Sequence, residues 1–184
     1  AVLAGDPDTL EQLIGEHGSM LQRQPGGAWV GDLRHDGLGN RRDSDSLPDA
    51  RSIIAGKQHF ESWDQFAAFR ESLQDPRSPV AQFEAAVDAV VTGDAATLDR
   101  LLRQNPDLIR ARSARKHHST LLHYVGANGF EGYRQRTPKN AVHVAEILLN
   151  AGADIDAVAG MYGGTTTLGL VATSVHPVQA GVQA

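Results

Sequence analysis

Thr120-Leu121-Leu122-His123-Tyr124-Val125-Gly126-Ala127-Asn128-Gly129, followed by Val144-Ala145-Glu146-Ile147-Leu148-Leu149-Asn150-Ala151-Gly152-Ala153-Asp154-Ile155-Asp156-Ala157, is the stretch on which the fold turns. A related pattern precedes it. In Ala89-Val90-Val91-Thr92-Gly93-Asp94-Ala95-Ala96-Thr97-Leu98-Asp99-Arg100-Leu101-Leu102 an apolar helix ends at Gly93, Asp94 caps the next helix, and leucines return at helical spacing. That is an αα-hairpin, and such a hairpin cannot bury its apolar stripe alone. The opening segment Ala1-Val2-Leu3-Ala4-Gly5-Asp6-Pro7-Asp8-Thr9-Leu10-Glu11-Gln12-Leu13-Ile14 matches it without a gap in Ala, Val, Gly, Asp, Thr and two Leu. The chain therefore reads as a set of related helix pairs that must stack.

The stretch from Thr120 resembles the ankyrin repeat. Its opening is similar to T-P-L-H-x-A-A-x-x-G, with Leu121 for Pro and with Val125 and Gly126 for the two Ala; its close is similar to V-x-x-L-L-x-x-G-A-D-x-N-A, with Asp156 for Asn. A third opening, Thr166-Thr167-Leu168-Gly169-Leu170-Val171-Ala172, has Gly169 for the His. The resemblance implies an all-α, ankyrin-type helix-turn-helix solenoid with a partly irregular helical insert. It also implies that His123 ties its loop to the helix start by hydrogen bonds. From Thr120 to Thr166 the period is 46 residues against about 33 for the repeat. Phe130 to Asn140, between the two helices of the unit, carries most of the excess, and the rest falls near Met161-Tyr162-Gly163-Gly164.

Three regions follow. Residues 1–14 are a remnant of an N-terminal ankyrin-like helix pair, 15–80 an insert, and 81–184 about two and a half repeats with the last one truncated. The first half of the insert contains Gly26-Gly27, Gly31, Gly37, Gly39 and Arg41-Arg42-Asp43-Ser44-Asp45, and reads as loop. The second half reads as helical, with Pro48 in a first turn before Ile53 and Ile54, and Ser62-Trp63-Asp64-Gln65 as a capping box. Phe60, Trp63, Phe66 and Phe69 recur every three residues and predict an aromatic cluster that docks the insert on the repeats. Pro76 to Pro79 reads as a hinge. The start on Ala1 reads as the middle of a helix, and the last unit lacks a V-x-x-L-L helix. Both features lead us to expect a longer native protein and possible self-association through an uncapped C-terminal edge.

Composition narrows the function. A chain of 184 residues with 41% hydrophobic residues can bury a sizeable core. A net charge of −5 and a pI near 5.9 supply no basic field for a phosphate backbone, so nucleic acid is not expected as a partner. No apolar run approaches the length of a membrane span. Without cysteine there is neither disulfide framework nor thiolate chemistry, and a cytoplasmic location is the expectation.

The candidate chemistry is sparse. His117, His118 and His123 are the closest set of histidines, yet their spacing matches no recognised metal-ligand pattern. Glu16-His17 and His35-Asp36 are adjacent only in sequence, Gly37-Leu38-Gly39-Asn40 lacks the strand and Lys of a phosphate loop, and Ser44, Ser46, Ser113 and Ser119 sit in no nucleophile elbow. No catalytic, cofactor or metal residue is assigned. Two loops carry binding character instead. The basic connector Ala111 to Ser119 offers Arg112, Arg115, Lys116 and His117, and the Phe130–Asn140 insertion offers Tyr133, Arg134 and Arg136, with Met161 and Tyr162 as neighbours. Tyr and Arg are enriched at interface hot spots. The insertion reads equally as a packing element, since Phe130 and Tyr133 could cover the helix pair. The expected function is a scaffold binding another protein. The alternatives are a small-ligand or metal-dependent enzyme using His117, His118, His123 and His143, and a structural spacer in a longer chain.

Overall fold

The computed structural model describes residues 21–23, 29–31 and 50–182, and the chain divides into two compact units, Ala1–Leu47 and Pro48–Ala184. In the first unit β1 (Leu21–Arg23) and β2 (Trp29–Gly31) pair antiparallel, with Gln22 opposite Val30. The expectation of loop is corrected at these positions. The strands flank Pro25-Gly26-Gly27, a run of turn formers that favours a hairpin. The repeat remnant at 1–14, Glu16-His17 and His35-Asp36 lie outside the described residues.

The second unit is helical, in line with the all-α expectation. It begins with α1 (Ala50–Lys57) and α2 (Trp63–Ser72). The Ser62 hydroxyl accepts from the Gln65 N–H at 3.2 Å, so the Ser62 half of the expected capping box forms, while the Gln65 side chain accepts from the N–H of Glu61, one residue before the cap, at 3.2 Å. Phe60 and Phe69 are buried with ring centroids 4.9 Å apart, and Phe66 packs beside them. Ser78 then caps α3 (Pro79–Thr92), accepting from Ala81 N–H at 3.0 Å, while Pro79 takes a first-turn place where no N–H is needed.

Phe83, Ala86, Val87, Val90 and Val91 turn the apolar side of α3 into the centre of the core. Gly93 ends this helix at φ 76°, and a Cβ there would meet Pro138 and Asn140, so conformation and close approach both require glycine. Asp94 caps α4 (Ala95–Gln104), accepting from Thr97 N–H at 3.0 Å, and α4 buries Leu98 and Leu102. Pro106 opens a 3₁₀ turn over Pro106–Ile109 that buries Leu108 and Ile109.

The segment after Thr120 is a 3₁₀ helix, Leu121–Gly126, in place of a full α-helix. Ala127 at φ 48° and Gly129 at φ 80° stop it in the left-handed region. Next come α5 (Ala141–Asn150), burying Ala141, Val144 and Leu148, and a loop pinned by the antiparallel bridge between Ala159 and Thr165. Then follow α6 (Thr167–Thr173), with Leu170 fully buried, and α7 (His176–Gln179). The helix α3 packs on α4 and on Leu121–Gly126; the latter packs on α5 and α6, and α4 also meets α5. At the junction with α6 a Cβ on Gly126 would lie 2.6 Å from Leu170 Cβ, which sets how closely these elements approach. Among the described residues no helix is long and apolar enough to cross a membrane.

Candidate functional site

Between the Pro106–Ile109 turn and Thr120 the connector alternates. Arg112, Ala114, Lys116 and His118 are exposed, whereas Ser113, Arg115, His117 and Ser119 are buried. The segment turns back on itself, with His118 N–H donating to Arg115 O at 2.9 Å and His118 at φ 47°, and the turn with its neighbours sets which side chains face inward. Backbone bonds fix the register: Ser113 N–H donates to Ser119 O at 2.8 Å, and Lys116 N–H donates to His59 O at 2.8 Å.

The inward side chains meet an acidic pair. Arg115 Nη1 donates to Glu84 Oε1 at 2.7 Å, and its Nε lies 2.5 Å from Glu131 Oε1. Arg134 Nη1 donates to Glu84 Oε2 at 2.6 Å, and its Nη2 donates to Asp88 Oδ1 at 2.7 Å. Arg115, Arg134 and Glu131 are at most 5% exposed and the Glu84 side chain 9%, so two cations and two carboxylates balance out of solvent. Ser119 N–H donates to His117 Nδ1 at 3.2 Å, which makes Nε2 the protonated nitrogen facing Glu131 Oε1 at 3.3 Å. Aromatic rings enclose the group: His117 lies edge-on to Tyr124 and Phe130, Tyr124 stacks on Phe130 at 4.3 Å, and the Arg115 guanidinium covers Phe69 at 4.6 Å.

Burial pushes the Glu131 carboxyl up, but the His117 hydrogen bond and the Arg115 charge outweigh it and bring it down to about 2. Burial lowers Arg115 and Arg134, and the Glu84 carboxylate more than reverses this for both. The Tyr124 hydroxyl is raised by burial and by the Glu131 charge. The arrangement is a polar lock that joins the connector, α3, the insertion and the Phe69 ring of α2.

Of the residues assigned to partner contact, Arg112, Lys116, Tyr133, Arg136 and Tyr162 are exposed. Arg115, His117, Arg134 and Met161 are buried, and for these four the expectation of partner-facing side chains is corrected. Arg115 and Arg134 find buried carboxylates, His117 lies within the aromatic rings, and Met161 joins the main core. The insertion is thus a packing element along Phe130, Glu131 and Arg134 and a surface loop at Tyr133 and Arg136. Sequence reading passed over Glu84, Glu131 and His59. Glu84 had a signal, because it interrupts the apolar stripe Val80, Val87 and Val91. An acid at a core position calls for a buried cation.

His123 takes its expected place. The N–H and hydroxyl of Thr120 approach its Nδ1 at 3.2 and 2.8 Å. Burial holds the imidazole below its ordinary value near 6.5, against an opposing pull from the carbonyls of Thr165 and Ala157. Burial likewise lowers His59. For both, the unfolded chain takes up the proton first as pH falls. Their contribution to stability is therefore complete above pH ~6.5 and declines as pH drops through that value toward the folded pKa. Urea midpoints should fall between pH 7.5 and 5.5, and His123→Asn should flatten the slope there; an unchanged slope would remove His123 from this account. Glu131 acts in a separate window, losing its contribution from pH ~4.5 down to about 2.

Among the described residues no three His, Asp or Glu side chains are grouped to hold a metal ion, so the histidine cluster of the enzyme reading is not assembled. Comparison with protein-family models, with curated proteins and with solved structures returns no match.

Proposed function

We propose that this chain is an ankyrin-type solenoid that serves as a protein-binding scaffold, with its partner surface on two connectors held side by side. Support for the stack comes from the packing order. The α3, Leu121–Gly126 and α6 helices follow one another in contact, and α4 and α5 form a second row beside them. The carrying observation for the surface is the tie between Ala111–Ser119 and Ala157–Thr165. Arg112 Nη1 donates to Val158 O at 2.8 Å and to His118 O at 2.9 Å, and Gly160 N–H donates to His117 O at 2.8 Å. Arg112 thus holds the surface together, while Lys116, Val158 and Tyr162 project from it.

Tyr162 supports the reading further. It is 71% exposed and adopts φ 52°, a conformation unfavourable for a bulky residue, and its hydroxyl donates to Asn128 Oδ1 at 2.9 Å. Backbone strain of this kind, about 1–3 kcal/mol, accompanies a ring fixed at the surface by its hydrogen bond to Asn128. The arrangement pre-orders a side chain of the type that anchors interfaces. Lys116 adds an exposed charge on the other connector, and the partner is expected to present a carboxylate to it.

Affinity capture from the source cell tests this. The double variant Tyr162→Ala, Lys116→Glu should recover at least about tenfold less of the partner that the unaltered chain retains. Its helical circular dichroism should be unchanged. Equal recovery by the two proteins would move the surface elsewhere.

A further inference from the structure

Arg134 and Arg112 begin alike and end differently. In Arg134, Nη1 donates to Glu84, while Nε and Nη2 both donate to Asp88 Oδ1, at 3.0 and 2.7 Å. In Arg112, Nη1 is likewise engaged, on the carbonyl oxygens of Val158 and His118. Its Nε and Nη2 have no acceptor among the described residues. These two nitrogens form the side-on edge of a guanidinium, whose parallel N–H groups match the two oxygens of a carboxylate.

Two properties suit that edge to receive a ligand. The carbonyl bonds already anchor the long side chain, so little rotamer freedom is left to lose on binding. The positive charge is also unneutralised. Its acceptors are uncharged carbonyls, and even Asp156, two residues before Val158, forms no ion pair with it.

The surroundings point to the kind of ligand. From Leu108 to Phe130 the sequence contains Arg110, Arg112, Arg115 and Lys116 and no Asp or Glu. Arg115 is neutralised inside by Glu84, but Arg110, Arg112 and Lys116 are exposed, so the outer face of the connector is basic on a chain of net charge −5. Such a face attracts acid. The overall charge disfavours a nucleic-acid backbone, and the exposed Val158 and Tyr162 offer apolar contact that a free small acid would not use.

We propose that Arg112 is a carboxylate receptor, taking an Asp or Glu side chain of an acidic protein segment on its Nε and Nη2. The proposal rests on the reading of the two connectors as the partner surface, and it names the partner's chemistry at this point.

Selection of a randomised display library of peptides about twelve residues long on the full chain, followed by fluorescence anisotropy of the enriched peptides, tests it. The enriched peptides should share an Asp or Glu, and its replacement by the matching amide should weaken binding at least about tenfold. Arg112→Lys keeps a cation able to donate to both carbonyls but lacks the side-on edge. It should bind the acidic peptide at least about tenfold more weakly and the amide peptide within about twofold of the unaltered chain. Comparing the two peptides on one variant cancels any loss of folded protein. Equal binding of the acidic peptide by Arg112→Lys would overturn the receptor, as would a selection that yields no shared acid. Displacement of the peptide by acetate at comparable concentration would overturn its assignment to a protein segment. Failure of the scaffold reading would look different: the Tyr162→Ala, Lys116→Glu protein would keep its cellular partner, while the acidic peptide still distinguished Arg112 from Lys.

Discussion

Glu84→Ala should lower the free energy of unfolding by about 3–5 kcal/mol at pH 7, because it leaves Arg115 and Arg134 buried without their shared carboxylate. Glu84 bridges the two guanidinium groups at 2.7 and 2.6 Å, and neither cation can turn to water without opening the connector or the insertion. Urea unfolding followed by circular dichroism would register the loss as a shift in midpoint. The exposed pair of Arg77 and Asp75 provides the comparison: its Arg side chain is 91% exposed, and Arg77→Ala should change stability by less than about 0.5 kcal/mol. Similar midpoints for the two variants would show that the buried cluster is not a lock. The cluster need not exceed an apolar core of the same volume in stability, since desolvation offsets much of its attraction. Its one-sided loss is what is severe.

Tyr124→Ala should cost a similar amount, about 3–5 kcal/mol. The ring is 1% exposed, stacks on Phe130 and meets Phe83 and His117 edge-on. Truncation leaves a cavity bordered by the insertion and α3, and the polar cluster beside it limits collapse. Tyr124→Phe keeps the stack and should cost well under half as much, at about 1 kcal/mol or less. If the two variants proved equally destabilised, the hydroxyl and not the ring would be the stabilising part.

The local signals of the second unit are legible in the sequence. Asp94 after Gly93, and Ser62 with Gln65, are short-range signals whose hydrogen bonds follow from residue type and spacing, and the tie between Thr120 and His123 is what the resemblance to the repeat implies. The aromatic set Phe60, Phe66 and Phe69 was readable for the same reason. The candidate site is less legible. Helical periodicity gave no means of separating Arg115 and His117 from Arg112 and Lys116, because the connector alternates with period two and its register depends on Ser119 and His59. Arg134 reads as a surface residue in the sequence because its carboxylates, Glu84 and Asp88, lie 50 and 46 residues away. A surface loop and a buried lock can share one composition; only tertiary neighbours separate them.

The insertion also changes how the chain can unfold. In a repeat array each unit touches its neighbours, so the ends can open one at a time. Here Arg134 reaches Glu84 and Asp88 in the middle of α3, and Asn140 Nδ2 donates to Gly93 O at its C-terminal end at 2.8 Å. One short loop thus clamps the middle and the C-terminal end of a helix that entered the sequence far earlier. Closing such distant contacts slows folding. The same contacts tie α3 to the insertion, and their amides are expected to exchange with solvent together.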